Sequence, residues 1–278
     1  MYIKKLLVTA SVTILIAAGT VHGKSYERLD RGFEALVDRY LEEVRGVGVN
    51  RKPDTMSKDS FARREQVSRD LLNELEAIDR DKLAFVQDID WRFLKSLLES
   101  NIIEGESVQR WRQDPRLYFN NGPIVHRISV DPRPLAERAA NLVKDLALLQ
   151  VRLKNARANL DQYIPRWIEL THVTLDGFRS VLVNDLPAFA ERIEDAALQG
   201  ELLGEASRAV DALNRFQVYL SEQLPTLPLG DYRVGEEVFN GLQEHRYMFP
   251  ENDIHLRRIA RGAEGFTRLP NYHEWGWE

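Results

Sequence analysis

The histidines of this chain are the first residues to test for metal chemistry, and their spacing does not fit it. A zinc peptidase places two histidines one helical turn apart with a glutamate between them, because both imidazoles must face the metal while the carboxylate activates its water. The histidines here are His22, His126, His172, His245, His255 and His273. No two have that spacing, and His273-Glu274 is followed directly by Trp275, which makes it a chance match. The sequence therefore predicts no metal site and no cofactor in this chain.

Nucleophilic and acid–base chemistry has no stronger support. The sequence contains no cysteine, no G-x-S-x-G elbow and no glycine-rich phosphate loop. Neighbouring carboxylates such as Glu236 and Glu237 are present, but acids are abundant in this sequence and are expected on solvated faces. The sequence favours a protein without catalytic activity and leaves the question of an enzyme open.

One cluster of aromatic and basic residues suits the recognition of a ligand. Trp111 and Tyr118 lie close in sequence to Arg112 and Arg116, in a segment rich in turn residues. Such a mixture is typical of peptide or carbohydrate recognition at the rim of a cleft, so these four are candidate ligand-binding residues. The alternative, and the commoner role for aromatic rings, is that they cover the hydrophobic core.

A second basic cluster lies near the end of the sequence. Arg257 and Arg261 are one helical turn apart and share a face, so they could meet a carboxylate ligand or an acidic partner. Cations placed in the last turn of a helix explain the same pattern equally well.

The elements that position these residues are predicted to be helices throughout. Apolar residues recur at spacings of three and four from Leu29 to Val44, and again after a cap at Ser57 or Asp59. Further helices are predicted over 81–103, 134–163, 165–183, 187–199 and 202–224, with an irregular connection over 114–134. The predicted fold class is all-α: a multi-helix array of antiparallel helices with no significant sheet.

The first 23 residues are typical of a cleavable export signal. Lys4 and Lys5 provide its positive start, an apolar run from Leu6 to Gly19 follows, and we predict cleavage after Gly23. The apolar run is shorter than the roughly 20 residues that a spanning helix needs, so no stable membrane insertion is expected after cleavage. The predicted location is periplasmic or secreted.

Charge argues against nucleic acid as a partner. Removal of residues 1–23 takes away two lysines and no acids, so the formal charge falls from −5 to −7. A nucleic-acid-binding protein needs a concentrated basic face, which this evenly mixed acidic sequence lacks. We predict a helical domain over residues 24–268 and an irregular tail over 269–278 that contains Trp275 and Trp277.

Three segments together carry a resemblance to a known family. They are RLKNARANL at 152–160, DPRLYFNNG at 114–122, and the run FQVYLSEQLPTLPLGDYRVGEEVF at 216–239. In their order and spacing they resemble the N-terminal half of the bacterial family called domain of unknown function 885 (DUF885). The resemblance implies a secreted helical protein whose relatives carry a zinc-peptidase-like H-E-x-x-x-G-H signature in a second half.

Two functions are compatible with this sequence. The first is an exported, non-catalytic helical protein that binds a peptide or another protein. The alternative is a truncated or split part of a zinc metallopeptidase-like protein whose catalytic half is missing. In either case the region from Val234 to Trp277 is expected to present apolar surface, which would favour self-association or capture of another protein.

Overall fold

A computed structural model describes residues 30–46 and 53–248. The predicted export signal, the tail at 269–278, Arg257 and Arg261 lie outside the described residues. In the described part the fold is all-α, as the periodicity predicts, and its extended backbone pairs at one isolated bridge between Tyr163 and Leu229. The α-helices are α1 (Arg31–Arg39), α2 (Lys58–Glu76), α3 (Phe85–Ile103), α4 (Gly122–Ser129), α5 (Leu135–Asn159), α6 (Pro165–Ser180), α7 (Leu186–Ala190), α8 (Ala196–Val218) and α9 (Glu236–Arg246).

A first hydrophobic cluster joins α1, α2 and α3. Helix α1 begins where the Asp30 carboxylate accepts from the Phe33 amide, and α2 begins where the Ser57 hydroxyl accepts from the Ser60 amide. The apolar stripes of the three helices meet between them. The buried residues of this cluster are Phe33, Leu36, Tyr40, Leu71, Leu75, Trp91, Leu94 and Leu98.

A second, larger cluster is built around α5 and α8, which form the most extensive helix pair in the described residues. Helix α5 contributes leucines such as Leu142 and Leu146, while α8 contributes Ala209, Leu213 and Phe216. Small residues opposite large ones let the two helices interdigitate closely. Helices α4, α6 and α7 pack around this pair and complete the cluster.

The boundary between α7 and α8 differs from the one expected from Pro187. Helix α6 continues through a π-helical turn at Val181–Asp185 directly into α7, with Pro187 in the first turn of α7. The chain then turns, and α8 begins at Ala196 because the Asp195 carboxylate accepts from the amides of Ala197 and Leu198. The predicted helix over 187–199 is therefore wrong, and the signal that was missed is the Asp195 cap.

Two other features differ from expectation. The connection expected to be irregular contains α4, whose second residue is Pro123, a position that tolerates a missing amide donor. Val86, Phe93 and Val218 follow the apolar spacing of their helices, yet each is more than 40% exposed. Their helices are packed on one side only at those positions, so the apolar stripe is wider than the buried face.

Helix α9 lies on the surface of α3 and none of its residues is fully buried. A β-carbon added at Gly241 would lie 3.1 Å from Ile103 Cδ1, so the helices approach closely there. The connection into α9 runs beside residue 163, where the Gly230 amide donates to the Tyr163 carbonyl at 2.8 Å. It ends at Gly235, whose φ of 81° favours glycine. Within the described residues, no helix is long and apolar enough to cross a membrane.

Candidate functional site

A buried carboxylate organises the loop that contains the predicted ligand-binding residues. Asp114 is fully buried, and its carboxylate accepts hydrogen bonds from Arg110 Nη2 at 2.8 Å and from Arg116 Nε at 2.8 Å. Burial disfavours the charged form, but the hydrogen bonds from Arg116 and Arg110 outweigh it and lower the pKa of the Asp114 carboxyl. The loop is thus held by one ionised acid between two guanidinium groups.

Tyr118 belongs to the core. Its ring is fully buried, its hydroxyl donates to the Trp111 carbonyl, and it accepts from Asn159 Nδ2 at 3.0 Å. Burial raises the pKa of the Tyr118 hydroxyl. Tyr118 is 0% exposed and shapes the loop from inside.

Trp111 lines a cleft. Its ring stacks on Phe61 of α2 with 5.4 Å between the centroids and 15° between the planes. The two rings and Leu117 form the apolar wall of a cavity of about 330 Å³ between the start of α2, the end of α3 and the 109–118 loop. We call this cavity the Trp111 cleft. Its polar wall includes Lys58, Arg110 and Arg246.

The carboxylates of the Trp111 cleft are already paired. Glu65 of α2 lies 3.4 Å from Arg69, and Glu104 at the end of α3 pairs with Arg246 of α9. The Glu104–Arg246 pair contributes no net charge to the cleft, whereas Glu65 shares the Arg69 guanidinium with Glu106.

The cations of the cleft exceed its acids. Arg64 pairs with Asp54 at 2.5 Å, whereas Lys58 is exposed and has no carboxylate within 4 Å among the residues that the structure describes. Arg110 shares the single charge of Asp114 with a second arginine. The cleft therefore has a surplus of positive charge beside an apolar aromatic wall.

The two remaining predicted residues of this loop point away from the cleft. Arg112 donates to the Asp161 carboxylate at 2.8 Å, and Arg116 lies over the Trp167 ring at 5.5 Å from its centroid. The structure thus brings Trp111 alone, of the four predicted loop residues, to the cleft. Phe61 was not predicted there, because it lies 50 positions earlier in the sequence and no local pattern connects it with Trp111.

The RLKNARANL segment binds the backbone that leads into α2. Three side chains on one face of α5 donate to successive carbonyls: Arg152 Nε to Asp54, Asn155 Nδ2 to Thr55 and Asn159 Nδ2 to Met56, each at 2.8 Å. The spacing of three and four residues places all three donors along one side of the helix. This segment therefore joins the two hydrophobic clusters.

Comparison with known proteins gives the family of this chain. Residues 42–252 match the sequence profile of a family described as "Bacterial protein of unknown function (DUF885)". The chain belongs to the DUF885 family. The match includes all three segments on which the resemblance was based. No curated protein matches this DUF885 chain.

The fold of this DUF885 protein is similar to that of a solved structure, a candidate lipoprotein of unknown function from Shewanella oneidensis. The TM-score is 0.75 and the two sequences are 18% identical, so the similarity shows the fold alone. The match covers 84% of this chain and 45% of the other. This DUF885 chain thus spans less than half the length of the structure that it matches.

The described residues of this DUF885 protein do not supply a zinc site. No group of three or more histidines, cysteines, aspartates or glutamates in residues 30–46 and 53–248 is placed to hold a metal ion. His245 is engaged with a single acid, since its Nδ1 lies 2.7 Å from the Glu99 carboxylate. The zinc chemistry that the family resemblance implies therefore has no ligand set in this part of the chain.

Proposed function

We propose that this protein is an exported, non-catalytic helical protein that binds a peptide or a segment of another protein in the Trp111 cleft. The observation that supports the proposal is the stacked Phe61–Trp111 pair on the wall of an open cavity with charged residues opposite. Trp111 is half-buried, and tryptophan and arginine are both enriched among the residues that contribute most to protein binding. A volume of about 330 Å³ lies at the small end of the usual range for ligand pockets.

Binding can be tested on an array of immobilised dodecapeptides of varied composition. We expect the protein to bind a subset of them and the variant Trp111→Ala to lose that binding, because the apolar wall of the cleft is removed. Trp167→Ala is the matched control, since Trp167 is also half-buried and contacts the same loop through Arg116, but outside the cleft. A Trp111→Ala protein that binds the array as the parent does would exclude the cleft as the binding site.

Export is part of the same proposal. The apolar run after Lys4 and Lys5 supports it, and so does the similarity to a structure described as a candidate lipoprotein. N-terminal sequencing of protein recovered from the periplasm or the medium should give Lys24 as the first residue. Recovery of a chain that begins at Met1 from the cytoplasm alone would contradict this.

A second function is supported by the length comparison. Because the match covers 45% of the Shewanella protein, this chain could act as one part of a longer protein. That the other part is zinc-peptidase-like is what the family resemblance implies. The nucleotide sequence downstream of this reading frame decides between the binding function and this second function. A downstream frame that encodes H-E-x-x-x-G-H supports the second function. Co-purified chains that together hold one zinc ion and cleave peptides would establish it.

A further inference from the structure

The charge of the Trp111 cleft narrows the class of ligand, given the binding function proposed above. Four cations line it against two acids, Glu65 and Glu104, each of which lies beside an arginine, although the arginine beside Glu65 is shared with Glu106. Lys58 has no acid partner among the described residues. Asp114 supplies one negative charge to two guanidinium groups, so Arg110 faces the cleft with part of its charge uncompensated. A ligand that fills this cleft gains most if it brings a negative charge.

The position of Lys58 also favours a negatively charged ligand. It is the first residue of α2, a helix of 19 residues, and a cation at a helix N-terminus opposes the macrodipole instead of complementing it. Helix stability therefore does not account for a lysine at this position. The lysine ammonium and Arg110, which both line the cleft, and the dipole of α2 favour an anion in it.

The apolar wall sets the second requirement. Phe61, Trp111 and Leu117 offer ring and methyl surface next to the cations, and about 330 Å³ is room for the end of a chain and not for a folded element. We propose that the Trp111 cleft binds a carboxylate-bearing end of a peptide, with the carboxylate at Lys58 and Arg110 and an adjacent apolar side chain against Phe61 and Trp111.

The proposal is tested by calorimetric titration of the full chain with three N-acetylated tripeptides. The first is acetyl-Gly-Gly-Phe with a free carboxylate, the second is the same peptide as its amide, and the third is acetyl-Gly-Asp-Phe amide. We expect the first to bind and the second to bind at least tenfold more weakly. If the third binds as well as the first, the carboxylate comes from an acidic side chain; if it does not, the peptide terminus supplies it.

Lys58→Gln should weaken binding of the free acid about tenfold and leave the amide unchanged. Lys144→Gln is the matched control, because it removes one charge from an exposed position on α5. Equal affinity for acid and amide, or an unchanged affinity of Lys58→Gln, would overturn the proposal. The carboxylate proposal would also be overturned if no tripeptide binds while dodecapeptides on the array still do. In that case the peptide-binding function itself stands. Failure on the array as well would remove the binding function itself.

Discussion

Asn159 is the residue at which two of the family segments meet. Its amide donates to the Met56 carbonyl at 2.8 Å and to the Tyr118 hydroxyl at 3.0 Å, and the side chain is only 7% exposed. Without a side-chain donor at this position, both the Met56 carbonyl and the Tyr118 hydroxyl would lose a buried hydrogen bond. These two hydrogen bonds account for the asparagine of the RLKNARANL segment.

Replacement of Asn159 by alanine should lower the free energy of unfolding by about 1–3 kcal/mol, because the Met56 carbonyl and the Tyr118 hydroxyl each lose a buried donor. Asn155→Ala is the control: that amide is less buried and donates only to the Thr55 carbonyl, so a smaller loss is expected. Urea unfolding of both variants measures the difference. Equal losses would show that the second hydrogen bond of Asn159 contributes nothing.

Asp114 should make stability depend on acid pH. Its pKa is lowered in the folded protein, so its contribution to stability is fully present above the unfolded value of about 3.9 and is lost as pH falls through the folded value. Asp114→Asn should therefore be clearly less stable than the parent at pH 7, with the gap closing below about pH 4. Chemical unfolding at a series of pH values measures this.

The control for that series is Asp176→Asn. Asp176 pairs with Arg179 on the surface, where an ion pair contributes little to stability. Its variant should follow the parent across the range. A gap for Asp114→Asn that stays constant from pH 7 to pH 2 would contradict the assignment.

Helix α9 packs on α3 without a fully buried residue of its own. The contacts of Gly241 with Ile103 and of His245 with Glu99 show that it runs antiparallel to α3, which places Gln243 opposite Asn101. Gln243 Oε1 is buried and has no hydrogen-bond partner among the described residues. Buried polar groups without partners reduce the gain from docking.

Hydrogen exchange should show how weakly α9 is docked on α3. Amides of α9 should exchange faster than those of α5, since α9 contributes no fully buried residue of its own, whereas α5 contributes several. Gly241→Leu should speed exchange in α9 further despite the higher helix propensity of leucine, because its side chain must displace Ile103. Glu244→Leu, at an exposed position of the same helix, is the control. Protection in α9 equal to that in α5 would show that the helix is part of the stable core.

Sequence patterns predict where the helices lie better than they predict which helix surfaces are in contact. The periodicity and the cap at Ser57 place α2 correctly, because capping and amphipathicity are local properties. The Asp195 cap that begins α8 is equally local, but Pro187 is the stronger helix-start signal in the sequence and predicts a different boundary. Val86 and Phe93 lie on the apolar stripe and are exposed, because spacing cannot show how much of a stripe a neighbour covers.

The candidate site is only partly visible in the sequence. Trp111 stands out because it lies among arginines in a turn-rich segment, but its partner Phe61 is brought to it by the packing of α2. Tyr118 has the same local surroundings as Trp111 and is buried instead. Which ring faces the cleft depends on contacts with α5, and these join residues far apart in the chain.

At the scale of the whole molecule, the cluster around α5 and α8 should carry most of the stability. Phe216 is fully buried in it and contacts the rings of Phe119 and Tyr219. Phe216→Ala should lower the free energy of unfolding by about 3–5 kcal/mol, measured by urea unfolding followed by circular dichroism. Val218→Ala on the exposed side of the same helix should change it by less than about 0.5 kcal/mol.

The described end of the chain exposes apolar side chains. Phe239, Tyr247 and Met248 are each more than 40% exposed, in the region where apolar surface was predicted. We expect this surface to favour self-association, seen as a sedimentation coefficient that rises with protein concentration. A monomer at all concentrations that binds no hydrophobic dye would contradict this prediction.

The three hydrogen bonds between α5 and residues 54–56 also bear on the order of folding. They join residues 98 to 103 positions apart in the chain, so the entropy of closing a long loop must be lost before they form. Contacts of such separation form late unless an earlier nucleus brings their ends together. Helices α5 and α8 are closer in sequence and bury more, so they are the natural nucleus. In a chain exported N-terminus first, the cluster around α5 and α8 would then fold first. Residues 54–56 would dock on α5 last, although they cross the membrane before that cluster does.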